Sequence, residues 1–135
     1  MTIFARFADE SGKISQNRAK PKLFEPNRKN ELSIFNVSKL SSKEKCESGL
    51  KNVAKPKGKK LYGWAELSHS DFYKFDLEII QDNTPPGHAN AIGWPKPELV
   101  KQRKDKAQSL AKIANCTRLN PTARTCVDCQ SQDYK

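Results

Sequence analysis

Residues 61–94, reading LYGWAELSHSDFYKFDLEIIQDNTPPGHANAIGW, hold a large share of the apolar residues from which this chain can build a core. Both tryptophans, both histidines and the aromatics Tyr62, Phe72, Tyr73 and Phe75 fall inside this window, and basic, proline-punctuated segments flank it. Leu61, Gly63, Ala65 and Leu67 alternate with Tyr62, Trp64 and Glu66, the period of a strand with two distinct faces. Ser68-His69-Ser70-Asp71 reads as a cap for a turn or two of helix that turns Phe72 and Phe75 toward a sheet. Residues 77–81 read as a strand, and Asp82-Asn83-Thr84-Pro85-Pro86-Gly87 as a turn. Residues 88–94 then return as a strand, with His88, Asn90, Ile92 and Trp94 on one face.

The rest of the chain extends this pattern. Residues 3–8 alternate as an opening strand, with Ile3, Ala5 and Phe7 on one face and Phe4, Arg6 and Ala8 on the other. Pro21 and Pro26 predict that residues 13–31 stay extended, with Leu23 and Phe24 pinning them to the body. Residues 32–37 are a second strand, Leu32 and Ile34 facing one way, Phe35 and Val37 the other. Ser41 and Glu44 have capping-box spacing, and Gly49 fits the left-handed position that would end the short helix they start. Pro56 and Gly58 make the lysine-rich residues 51–60 a loop. After Pro95 and Pro97, residues 98–115 predict an amphipathic helix. Its buried stripe would be Leu99, Val100, Ala107, Leu110, Ala111 and Ala114, with Lys101, Lys104, Asp105, Gln108 and Lys112 outside. The expected fold is α+β: a small, mostly antiparallel sheet of about five strands with the C-terminal helix packed on it. Residues 1–115 would form one domain, and residues 116–135 a polar, cysteine-containing tail.

Charge bounds the partner. The 135 residues carry 25 Lys+Arg against 15 Asp+Glu, a net charge of +10, and only 36% are hydrophobic. A small core under a cationic surface favours an anionic partner, nucleic acid first, because each neutralised phosphate releases counterions. The candidate contacts are Arg18, Lys20 and Lys22, then Lys55, Lys57, Lys59 and Lys60, then Lys101 and Lys104. Tyr62, Trp64 and Trp94 lie near these segments and are candidates for stacking on bases, although the ordinary role of such residues is core. No run approaches the roughly 20 apolar residues that span a bilayer, and the N-terminus has no signal-peptide core. The expectation is a cytosolic protein with no membrane partner and with reduced thiols.

Two groups could carry chemistry. Cys126-Val127-Asp128-Cys129 with Cys116 supplies three thiolates, to which Cys46, His69 or His88 could add the fourth ligand of a zinc site. No second Cys-x-x-Cys exists and the fourth ligand is not apparent, so the expectation is no bound zinc. His88, after Pro-Pro-Gly at the start of a strand, and His69 are the groups that exchange protons near neutrality. Asn90 would project beside His88, a set able to support phosphodiester or glycosidic chemistry. A glycine-rich phosphate loop, paired carboxylates, HExxH and a nucleophile elbow are all missing.

The strings ELSIF, LYGWAEL and HANAIGWP resemble those of a group of short, uncharacterised bacterial proteins across roughly residues 3–115. The resemblance implies a free-standing bacterial domain and brings no activity with it. The first functional expectation is a basic, non-enzymatic adaptor that binds nucleic acid or a nucleoprotein through backbone phosphates. The second is a toxin-like nuclease or transferase centred on His88. The third is a protein-interaction or antitoxin-like module whose tail is ordered by a partner subunit or by zinc.

Overall fold

Strand β1 (Ile3–Ala8) sends Phe4 and Ala8 into one core and Ala5 and Phe7 into another, which requires cover on both faces of the sheet. The computed structural model describes residues 1–15 and 18–119. β2 (Ile14–Ser15) and β3 (Arg18–Ala19) pair as a short ribbon and lead into a 3₁₀ turn at Pro21–Phe24. β4 (Leu32–Asn36) precedes α1 (Ser42–Gly49), and β5 (Gly63–Ser68) runs directly into α2 (His69–Lys74). β6 (Glu78–Gln81), β7 (His88–Ile92), α3 (Val100–Ile113) and β8 (Asn115–Arg118) complete the order.

The main sheet has six strands rather than about five, in the order β6-β7-β4-β1-β5-β8, and each neighbouring pair is antiparallel. The α+β fold with a C-terminal helix is as expected. The added strand is β8, at residues expected to begin the tail. It fits because Gly63 has no β-carbon: one placed there would lie 2.2 Å from the Thr117 carbonyl oxygen.

The larger core lies on the face covered by α3, α2 and the 3₁₀ turn. Leu32, Ile34, Ala65, Leu67, Ala89 and Ala91 meet Leu23, Phe24, Phe72, Leu77 and Leu110 there. Leu23 and Phe24 are fully buried, and Pro21 stands at the start of a 3₁₀ turn, so this segment is less extended than its prolines predicted. The buried face of α3 is Ala107, Leu110 and Ala111, whereas Leu99 and Val100 are exposed. The helix starts later than expected, and those two residues precede its contact with the sheet.

Phe7, Phe35, Val37, Trp64, Leu61 and Cys46 form the second core, under α1. The capping box at Ser41 and Glu44 is present. Gly49 does not stop the helix: its φ is −63°, and the chain continues through a π-helical segment at Leu50–Ala54 and a 3₁₀ turn at Lys55–Lys57. The left-handed stop is Gly58, at φ 65°. Residues 51–57 are therefore helical rather than a loop, with Ala54 buried on the second core. Lys45 donates to both oxygens of Glu66 at 3.1 Å, and Glu66 also accepts from the Trp64 indole, which ties α1 to β5. Among the described residues, no helix is long and apolar enough to cross a membrane.

Candidate functional site

Alternation along two neighbouring strands builds the first candidate. β4 puts Ser33 and Phe35 on the α1 side of the sheet, and β7 lies antiparallel to it with Phe35 opposite His88 and Ser33 opposite Asn90. The turn between β6 and β7 then folds back over His88, whose carbonyl accepts from the Asp82 and Asn83 amides at 3.2 and 3.0 Å. Asp82 is itself shaped by the turn, because its Oδ1 accepts from the Thr84 amide at 3.1 Å. The result is a relay of three side chains. Asp82 Oδ1 lies 2.7 Å from His88 Nδ1, and His88 Nε2 lies 2.7 Å from Ser33 Oγ.

The edge-on contact of His88 with the Phe35 ring, centroids 5.2 Å apart, fixes the imidazole plane. The hydrogen bond from His88 and that from the Thr84 amide hold the Asp82 carboxyl below its usual range, so it is a carboxylate near neutrality. In the neutral ring, Nδ1–H donating to an ionised Asp82 leaves Nε2 to accept from the Ser33 hydroxyl. That is the tautomer a serine nucleophile requires.

This relay opens on a cleft of about 180 Å³, walled by Phe7, Phe35, Val53 and Pro85 and carrying Arg6, Asn52 and Lys57 as polar groups. Arg6 reaches it because pairing of β1 with β4 stops at Ala5 opposite Phe35. Its Nε donates to the Leu23 carbonyl and its Nη1 to the Ser33 carbonyl, both at 2.9 Å. Burial pulls the Arg6 guanidinium below its ordinary value and nearby Asp9 partly offsets this. Lys57 bonds to the buried carboxylate of Asp9 at 3.0 Å.

Of the sequence candidates, the cleft gathers His88 and Lys57. Asn90 faces the same side two pairs along from His88. His69 is elsewhere, at the start of α2 against the rings of Phe4 and Tyr73, with centroids 6.3 and 4.8 Å away. Ser33 and Asp82 were not singled out from the sequence. Asp82 stood six residues before His88 across a tight turn, a usable signal, but Ser33 is 55 residues away and is found only through the strand pairing.

A second candidate lies on the other side of the sheet. Arg18, Ala19 and Pro21 pack beside Gln108, Ala111 and Lys112 of α3 around a groove of about 400 Å³. Lys101, Lys104, Gln108 and Lys112 recur at three- and four-residue steps, so they share one helix face, and all are exposed. Lys20 and Lys22 are exposed on the neighbouring segment. Arg18, Lys20, Lys22, Lys101, Lys104 and Lys112 have no carboxylate within ion-pair distance among the described residues. Lys57 and Lys59 differ, since Asp9 and Glu10 hold them at 3.0 and 3.8 Å. Lys55 and Lys60 are exposed beside them.

The aromatic candidates do not present faces to a base. Trp64 is 1% exposed in the second core and Trp94 is 5% exposed in the first. Trp94 leaves the face of His88 because Gly93, at φ 97°, breaks the alternation of β7. Tyr62 is half-buried against the first core. Cys116 sits on the edge strand β8, where burial raises its thiol above the ordinary value despite a backbone hydrogen bond at Ala19. Cys46 lies in the second core, on the opposite side of the sheet. No three His, Cys, Asp or Glu side chains converge as a metal site among the described residues, and Cys126 and Cys129 lie outside them. Comparison of the chain with protein-family models, with curated proteins and with solved structures finds no match.

Proposed function

We propose that the protein binds a polyanion, a nucleic-acid backbone first, along the groove between the Arg18–Lys22 segment and α3. One observation carries this reading. The cations beside that groove are exposed and free of carboxylate partners among the described residues, whereas those near β1 are partly neutralised by Asp9 and Glu10. An unpaired lysine row on a rigid helix gives up no internal ion pair when it meets phosphate. Recognition is of backbone charge and not of base sequence, because lysines dominate the cations beside the groove and the two tryptophans are buried.

Duplex binding measured across a salt series tests it. Affinity should fall steeply between about 50 and 200 mM salt. Lys104→Glu with Lys112→Glu should weaken binding more than Lys57→Glu with Lys59→Glu, at unchanged melting temperature for the α3 pair. Binding that survives the α3 reversals would sink the groove assignment.

A further inference from the structure

The relay on β4 and β7 has a chemistry that charge-based binding does not use. We propose that Ser33 is the nucleophile of a hydrolase acting on esters with a short acyl group, with His88 as general base and Asp82 as the residue that positions it. The inference rests on geometry independent of the basic groove. Both hydrogen bonds of the relay are 2.7 Å, the Ser33 and His88 side chains are half-buried at the edge of a cleft, and the histidine ring is held by Phe35. A chain of contacts made only to secure the turn would not need to end on a hydroxyl facing a cavity.

The cleft selects the substrate. Phe7, Phe35, Val53 and Pro85 make apolar walls, and about 180 Å³ admits a short acyl group but not a long chain. Arg6 and Lys57 line the same space and bring positive charge to it, Arg6 through a guanidinium anchored on the Ser33 carbonyl and Lys57 through an ammonium paired with Asp9.

The reaction needs only water as co-reactant. As Ser33 Oγ bonds to the carbonyl carbon, its proton passes to His88 Nε2 and the carbonyl π pair moves onto oxygen. Collapse of that adduct breaks the bond to the alcohol, which leaves with the proton from Nε2. Water repeats the sequence on the acyl-serine, giving up its proton to Nε2, and releases the carboxylic acid and the free Ser33 hydroxyl.

The whole chain is treated at pH 8 with an alkyl fluorophosphonate. In that reaction the Oγ–P bond forms, the P–F bond breaks, and fluoride leaves with the serine proton. The expected result is one adduct per chain, mapped by peptide mass to Ser33, together with turnover of p-nitrophenyl butyrate. Asp82→Asn should slow labelling by about 10²–10⁴-fold and alter its pH profile, because the wrong histidine tautomer then dominates. His88→Ala should abolish it. Since labelling is read on the unaltered protein, a folding defect in a variant cannot mask the answer. An unlabelled Ser33 in the folded parent chain would overturn the proposal, and an adduct on another serine would do the same. Turnover of bis(p-nitrophenyl) phosphate without turnover of the butyrate would overturn the assignment to esters.

Discussion

Gly49 lies so close to Phe7 that a β-carbon on it would stand 2.6 Å from Phe7 Cδ1, and 2.8 Å from Leu61 Cδ2. Phe7 cannot retreat, because its ring is wedged between Phe35 and Trp64, with centroids 5.7 and 6.0 Å away. Replacing a helical glycine by alanine ordinarily adds about 1 kcal/mol of stability. Here the sign should reverse, with Gly49→Ala destabilising by about 1–3 kcal/mol through overpacking. Gly12, with nothing within 4 Å of its notional β-carbon, is the control and should accept alanine without loss. Urea denaturation of both variants decides it, and a stabilised Gly49→Ala would refute the contact.

Leu110 is fully buried and Gln108 exposed on the same helix. Leu110→Ala should cost about 2–4 kcal/mol, since it removes a core side chain and leaves a cavity. Gln108→Ala should be nearly silent, and so should Leu99→Ala, although leucine would ordinarily suggest a core position. Equal unfolding midpoints for Leu110→Ala and Gln108→Ala would mean that α3 packs by another face.

Glu66 serves two donors at once, the Lys45 ammonium and the Trp64 indole. Removing the carboxylate leaves a buried N–H without an acceptor, an effect of about 1–3 kcal/mol. Glu66→Ala should therefore destabilise more than Glu66→Gln, whose carbonyl can still receive the indole proton. Tryptophan fluorescence during thermal melting would show the order, and the reverse order would exclude the indole bond as the dominant contribution.

Several carboxyls sit below their ordinary range in the folded chain. For Asp9, burial pushes upward but the hydrogen bond and charge of Lys57, with Lys59 and Lys13, outweigh it. Glu10 is lowered by Lys13, Glu44 by Ser41, and Asp82 by His88. A carboxyl depressed by folding adds stability that is present above its unfolded value, about 4, and lost as pH falls through the folded value. The melting temperature should thus hold between about pH 5 and 7 and drop below about pH 4. Asp9→Asn should lower the plateau and flatten the acid limb. An acid limb of unchanged steepness in that variant would show that Asp9 takes no part.

The sequence made the strands legible where both faces of the sheet are covered. In β1 and β4 every apolar residue has a core to enter, so alternation alone assigns Phe4 and Phe7, or Ile34 and Phe35, to opposite sides. It misled where one residue type serves two physical ends. Gly49 has the sequence signature of a conformational stop, yet its use is steric and the positive φ falls at Gly58. The strand period predicts the wrong face for Trp94 because Gly93 interrupts it. β8 has too little apolar character to be seen locally, because it is held by backbone pairing against a strand with a glycine at the contact. The turn before it marks His88 in the sequence, but its partner Ser33 depends on a pairing between distant segments, which no local pattern encodes.

The place of β1 in the sheet has a consequence during synthesis. Ile3–Ala8 is made before β4 and β5, yet it lies in the interior of the sheet between them, with Ile3 paired to Ser68. On a ribosome adding about 5–20 residues each second, this apolar strand waits several seconds for its second neighbour to emerge. At least the edge that β5 will cover stays open during that interval, so the nascent chain is exposed to wrong strand partners before its sheet can close.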